Sequence, residues 1–269
     1  MADQGPMLQP SEICDAVFSA CEDKAELPFA KMLVLGILAG LYIGFGGLFA
    51  TVALAGADVV PFGLSQVVAG LIFSLGLALV ILAGAELFTG NTLMIGPVAA
   101  GRLPVGRAVR ALAIVYLSNF VGAALLAVIA LFSGLHEAGD GAVGRAAVNL
   151  ADTKTSKSFW TVLASGVLAN MLVCLGVWLA YAGQSVTQKI IGLMLPIAAF
   201  VAAGFEHSIA NMYLLTYAFL VQNTVEAAPT LLAASAIGAN LLPATIGNIL
   251  GGALIALSYQ AVYGQPKRG

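Results

Sequence analysis

Long apolar stretches separated by short polar ones run the length of the chain. No Asp, Glu, Lys or Arg interrupts residues 32–57, 111–135, 158–188 or 227–266. About 20 apolar residues cross a bilayer as a helix, so the hydropathy pattern predicts spans at 29–56, 64–95, 108–132, 159–182, 190–219 and 231–259. The second and fifth carry polar clusters mid-span: Glu86, Thr89, Asn91 and Thr92 in one, Glu206, His207, Ser208 and Asn211 in the other. Polar groups at such positions predict two broken helices. Upstream, residues 9–27 place Ile13, Val17 and Cys21 on one face with acids elsewhere, the pattern of a short helix lying at the membrane interface. The expected organisation is a leader at 1–28, one six-span channel domain at 29–260 and a tail at 261–269.

Composition agrees with a membrane protein. The 269 residues are 60% hydrophobic and 9% charged, with a mean hydropathy of +0.99, whereas roughly a quarter of the residues of a soluble domain carry charge. A net charge of −2 offers no basic surface for nucleic acid. Cys14, Cys21 and Cys174 form no C-x-x-C pair, which points to neither a disulfide framework nor a metal site. The acid-rich first 28 residues do not resemble a cleaved signal.

The two halves repeat. Gly36-Ile37-Leu38-Ala39-Gly40 matches Gly166-Val167-Leu168-Ala169-Asn170, Gly84-Ala85-Glu86 matches Gly204-Phe205-Glu206, and Asn119-Phe120-Val121-Gly122 matches Asn248-Ile249-Leu250-Gly251. A unit of three spans is odd, so the second copy (159–260) enters from the opposite face to the first (29–132). The expected fold is therefore an all-α inverted repeat, an arrangement that transport proteins place around a midplane site. Cations set the orientation. With both termini cytoplasmic, Lys24, Lys31, Arg102, Arg107, Arg110, Lys189, Lys267 and Arg268 lie inside, and only Arg145, Lys154 and Lys157, in the connection 133–158, lie outside. Small residues at Gly36, Gly40 and Gly44, and at Gly247 and Gly251, mark close helix packing, within the chain or between subunits.

Each break leaves a half-helix N-terminus, whose free N–H groups favour an anion. His207 is the intramembrane group that can become positive near neutral pH, and passing its proton to a bound anion would let a neutral acid cross. Thr89, Asn170, Asn211 and Asn91 could donate to an anion or satisfy backbone freed at the breaks. Glu86 and Glu206 are expected behind the path, accepting from N–H groups that the breaks expose; acids lining a cation pathway are the competing reading. Phe73, Leu77, Leu87, Phe88 and Phe200 could form apolar constrictions or ordinary packing.

These residues resemble the formate/nitrite transporters. The resemblance lies in Gly84-Ala85-Glu86-Leu87-Phe88-Thr89-Gly90, in Leu168-Ala169-Asn170 with Leu172-Val173-Cys174-Leu175, and in Gly204-Phe205-Glu206-His207-Ser208-Ile209-Ala210-Asn211-Met212. It implies an aquaporin-like bundle in the inner membrane, assembled as a homopentamer, with a pathway for formate, nitrite or hydrosulfide in each protomer. It implies that His207 is the central histidine, Thr89 the threonine of a mobile loop facing it, Asn170 the asparagine near both, and Lys154 an outer lysine that draws in anions. Phe73, Leu77, Leu87, Phe88 and Phe200 match the two apolar constrictions. Leu168-Ala169-Asn170 looks like the formate channels, while Thr89-Gly90-Asn91-Thr92 looks more like the nitrite type or formate uptake proteins; formate ranks first, nitrite second and hydrosulfide third.

Other classes fit less well. The Asn-Pro-Ala triplet of water and polyol channels is absent, and His136 and His207 alone do not supply the paired intramembrane histidines of a haem subunit. With no G-x-S-x-G, H-E-x-x-H or phosphate loop, the expectation is a protein without enzymatic activity or cofactor.

Overall fold

The computed structural model describes residues 7–225 and 231–264; residues 1–6 of the expected leader, and Lys267 and Arg268 of the tail, lie outside the described residues. Within them the chain is helical: α1 (Pro10–Glu26), α2 (Phe29–Leu54), α3 (Phe62–Ala83), α4 (Phe88–Asn91), α5 (Ile95–Ala99), α6 (Val105–Phe132), α7 (Ala142–Thr155), α8 (Phe159–Ala182), α9 (Val186–Ala202), α10 (Ser208–Val221) and α11 (Ala234–Tyr263). By length and composition α2, α3, α6, α8 and α11 can each cross a membrane, and α9 is a shorter apolar helix. The second predicted span is thus α3 followed by a distorted stretch in which α4 and α5 flank a 3-10 turn at Thr92–Met94, and the fifth is α9 followed by α10.

Glycine sets how closely these helices approach. A Cβ on Gly40 of α2 would run into the Asn119 carbonyl of α6, and one on Gly122 of α6 into the Ile37 carbonyl. Gly247 and Gly251 of α11 stand in the same way against the Leu163 and Val167 carbonyls of α8. Backbone therefore packs on backbone in both pairs, inside one chain, so these glycines serve intramolecular packing.

Two amphipathic helices complete the bundle. Pro10 opens α1, where its missing N–H costs nothing, and the Glu12 carboxylate accepts from the Gln9 N–H at 2.7 Å. Ile13, Cys14, Val17, Phe18, Cys21 and Ala25 are buried, and α1 packs on α5, α6, α8 and α11. This corrects the interfacial expectation: the apolar face of α1 is covered by the chain's own helices. Arg102 holds it through Glu22 at 2.5 Å and Asp15 at 3.5 Å, and Arg107 through Glu26 at 2.6 Å. The connection 133–158 contains α7, whose buried Val143, Ala147, Val148 and Ala151 face α2, α10 and α11.

Candidate functional site

Both breaks are made by a left-handed glycine. Gly84 (φ +77°) ends α3 and Gly204 (φ +67°) follows α9, a conformation glycine adopts without the steric penalty of a side chain. After each break the chain runs extended to the residue that starts the next helix, Leu87 for α4 and His207 for α10. The exposed backbone is then satisfied by the same residue type in each half. Asn119 accepts from the Phe88 N–H at 2.9 Å while its amide donates to the carbonyls of Gly36 at 2.8 Å and Glu86 at 2.9 Å. Asn248 accepts from the Ser208 N–H at 2.8 Å and donates to the carbonyls of Gly166 at 2.8 Å and Glu206 at 2.9 Å.

The carboxylates at the breaks are held otherwise than the sequence suggested. Glu86 accepts from the Asn91 amide at 2.8 Å and pairs with Lys24 of α1 at 3.1 Å. Glu206 accepts from the Asn211 amide at 2.6 Å, Lys154 at 3.1 Å and Lys157 at 2.6 Å. The correction has a physical reason: a fully buried carboxylate needs a countercharge, and the neutral Asn119 and Asn248 amides suffice for backbone N–H groups. Asn211 also donates to Asn240, whose own amide holds the Lys154 carbonyl.

His207 lies at the centre. Its Nε2 is 2.9 Å from the Thr89 hydroxyl, and its Nδ1 accepts from the Ala210 N–H at 3.0 Å, capping α10. An Nδ1 that accepts from a backbone amide carries no proton, so the neutral ring has its proton on Nε2, directed at Thr89. Forming an imidazolium would put a proton on Nδ1 and break the cap. Proton transfer from an imidazolium would thus require the α10 cap to open first.

Two cavities lie beside the break residues, and His207 lines one of them. One, about 180 Å³, is lined by Lys24, Leu77, Glu86, Leu87, Tyr181 and Lys189, among others. The other, about 70 Å³, is lined by Phe73, Lys154, Phe200, His207 and Asn211, among others. Phe73 meets Phe200 edge to face with centroids 5.5 Å apart, and Phe200 stacks on the His207 ring at 5.6 Å. Leu77 and Leu87 thus stand on the α1 side, Phe73 and Phe200 on the α7 side. The Phe88 ring packs against Tyr116 at 4.8 Å and lines neither cavity, the packing alternative of the sequence reading. The Asn170 amide nitrogen donates to the carbonyls of Asn248 at 2.6 Å and Thr89 at 3.2 Å and to the Thr92 hydroxyl at 2.9 Å, so it braces the first break, the backbone-satisfying alternative of the sequence reading.

Lys154 is also placed otherwise than expected. Its side chain is 8% exposed, because α7 turns it inward to Glu206, whereas a lysine in a polar connection was expected in solvent. Burial pulls its ammonium below the usual lysine range; Glu206 opposes this and neighbouring Lys157 adds to it. Asn119, Asn248, Lys24 and Lys157 were not singled out as site residues from the sequence. The available signal was the matched Asn in each half, since a polar side chain in an apolar span calls for a partner.

Apolar helices of membrane-crossing length, with a buried His–Thr contact and a cavity lined by that histidine, fit an integral membrane protein of the channel class. The chain belongs to the formate/nitrite transporter family, which it matches over residues 11–261. It is 36% identical to the formate channel FocA of Escherichia coli (strain K12), over 96% of this chain and 95% of that one. It is 34% identical to a probable formate transporter of Methanothermobacter thermautotrophicus, over 94% and 96%. Among solved structures, a pentameric formate channel with formate bound superposes with a TM-score of 0.82 at 34% identity, over 88% of this chain and 98% of that one. An aquaglyceroporin from Plasmodium falciparum, at 14% identity and a TM-score of 0.51 over 87% and 97%, shares the fold alone. These relatives are channels and transporters, and the protein is not an enzyme.

Proposed function

We propose that the protein is a channel for small monovalent anions, with formate its first substrate, nitrite second and hydrosulfide third. The observation that carries this reading is the Thr89–His207 contact at 2.9 Å, with one cavity lined by His207, Phe73, Phe200 and Lys154 and another lined by Leu77, Leu87, Lys24 and Glu86. An ion without a partner is far costlier than a neutral acid beside Phe73, Phe200, Leu77 and Leu87. The acid therefore waits in a cavity as the anion and passes the rings with its proton. Desolvation raises a carboxylic acid's pKa and assists that step, while neutral His207 offers a hydrogen-bond donor at the midpoint.

In this reading the chain crosses the inner membrane six times, with α3 through α5 and α9 with α10 as interrupted spans and the halves inverted. Both termini are cytoplasmic, the α1-side cavity opens inward, and the protomer assembles as a pentamer, each with its own pathway. The pentameric relative supports the assembly. Cysteine placed at Gly139, an exposed loop position, should react with an impermeant thiol reagent on intact cells; labelling only after lysis would reverse the orientation.

Substrate choice is tested by uptake of formate, nitrite and hydrosulfide into proteoliposomes at several pH values. Formate should enter fastest, with a rate that rises as the pH falls. Transport of glycerol but none of these three would replace the reading with a neutral-solute channel.

A further inference from the structure

Thr92 lines neither cavity, and its side chain is fully buried. Its hydroxyl donates to the Thr89 carbonyl at 2.6 Å and accepts from the Asn170 amide at 2.9 Å. Asn170 also reaches the Thr89 carbonyl directly at 3.2 Å, and the Cys174 thiol lies 3.7 Å from it. Three donors, one from the 3-10 turn and two from α8, thus converge on the one carbonyl oxygen of the residue whose side chain touches His207. Bonds in such a chain polarise one another. A threonine hydroxyl that bonds back along its own helix also reshapes that helix, and here the 3-10 turn begins at Thr92. Room for the hydroxyl comes from α11: a Cβ on Gly252 would overlap Oγ1 and Cβ of Thr92.

We infer that Thr92 is a positioning residue for the central site, in which its hydroxyl, seated over Gly252, fixes the Thr89 carbonyl and so aims the Thr89 hydroxyl at Nε2 of His207. The inference rests on the channel reading for its consequence on flux. Its geometric content stands apart from that reading. Thr89 is one bond vector away from the ring, and the backbone that orients it is pinned by a group outside the path. The apparent affinity for an anion in either cavity is then independent of Thr92, while passage of the midpoint is not.

Thr92→Val keeps the size and removes the hydroxyl, Thr92→Ser keeps the hydroxyl, and Gly252→Ala presses on it. Saturation kinetics of formate uptake would be measured for each in proteoliposomes. The ring ¹⁵N resonances of His207 would be recorded with His136 replaced by glutamine, since the chain has only these two histidines. Thr92→Val and Gly252→Ala should move the Nε2 resonance and change the maximal rate roughly 3- to 10-fold at unchanged half-saturation, the scale of one lost buried hydrogen bond; Thr92→Ser should restore both. An unmoved resonance in Thr92→Val, or in Gly252→Ala should the valine variant fail to fold, would make Thr92 a packing residue and overturn the inference. Wild-type vesicles that carry neither formate nor nitrite would defeat the channel reading instead, and the His207 resonance would still decide this one.

Discussion

Replacing His207 with asparagine should leave formate uptake pH-dependent while slowing it by up to about tenfold, the effect of one lost hydrogen bond. The reason is the double engagement of the ring. Nδ1 caps α10 through the Ala210 N–H and Nε2 faces Thr89. Asparagine is among the strongest N-cap residues, so its carbonyl oxygen takes over the cap and the oligomer stays folded. Its shorter side chain reaches Thr89 poorly, which lowers the rate. The pH dependence persists because the proton arrives on the acid. His207→Ala should do worse, losing the cap at a cost of about 1 kcal/mol together with the donor. Equal uptake by His207→Asn at about pH 5 and about pH 8, a range that spans the ordinary histidine titration, would restore the ring as the proton donor.

Removing the charge of Glu206 should destabilise the protein more than removing that of either lysine. Its side chain is wholly buried and accepts from Lys154, Lys157 and Asn211. Glu206→Gln strands Lys154 without a countercharge, which costs about 3–5 kcal/mol for a buried pair broken from one side. Lys154→Met leaves Glu206 still paired with Lys157 at 2.6 Å and should cost less. The double variant should recover part of the loss, since Lys157 is 24% exposed in its side chain and can reach water. Thermal dissociation of the detergent-solubilised oligomer checks the order. These differences should also resist salt, because a buried pair is screened much less than an exposed one. Equal midpoints for Glu206→Gln and Lys154→Met would show that the pair is not the main support of Glu206.

The helices were legible because hydrocarbon imposes a length and a polarity that few other environments demand, and the polar clusters at Glu86 and Glu206 fall just after the ends of α3 and α9. What stayed hidden depended on partners. The face formed by Ile13, Val17 and Cys21 reads the same whether lipid or protein covers it, so the docking of α1, and with it the Lys24–Glu86 pair, could not be foreseen. Asn119 and Asn248 stood out only as repeat matches, because an asparagine in an apolar helix does not declare which carbonyl it serves. Lys154 was misplaced for a related reason. The connection 133–158 looked polar, and only its folding into α7 turns this lysine toward Glu206. The site residues that resemblance pointed to divide accordingly: His207 and Thr89 meet, while Asn170 and Phe88 hold the scaffold around them.

Small acids should pass between the two cavities by way of His207 and the apolar rings beside it. Labelled formate uptake into proteoliposomes, with wild-type protein and with Phe200→Trp, tests this most directly, because Phe200 lies between Phe73 and the His207 ring. Wild-type vesicles should fill saturably and far faster than protein-free ones, and the tryptophan variant, still oligomeric, should fall close to the protein-free rate. Wild-type uptake no faster than that of empty vesicles, or a Phe200→Trp variant as fast as the wild type, would contradict the account.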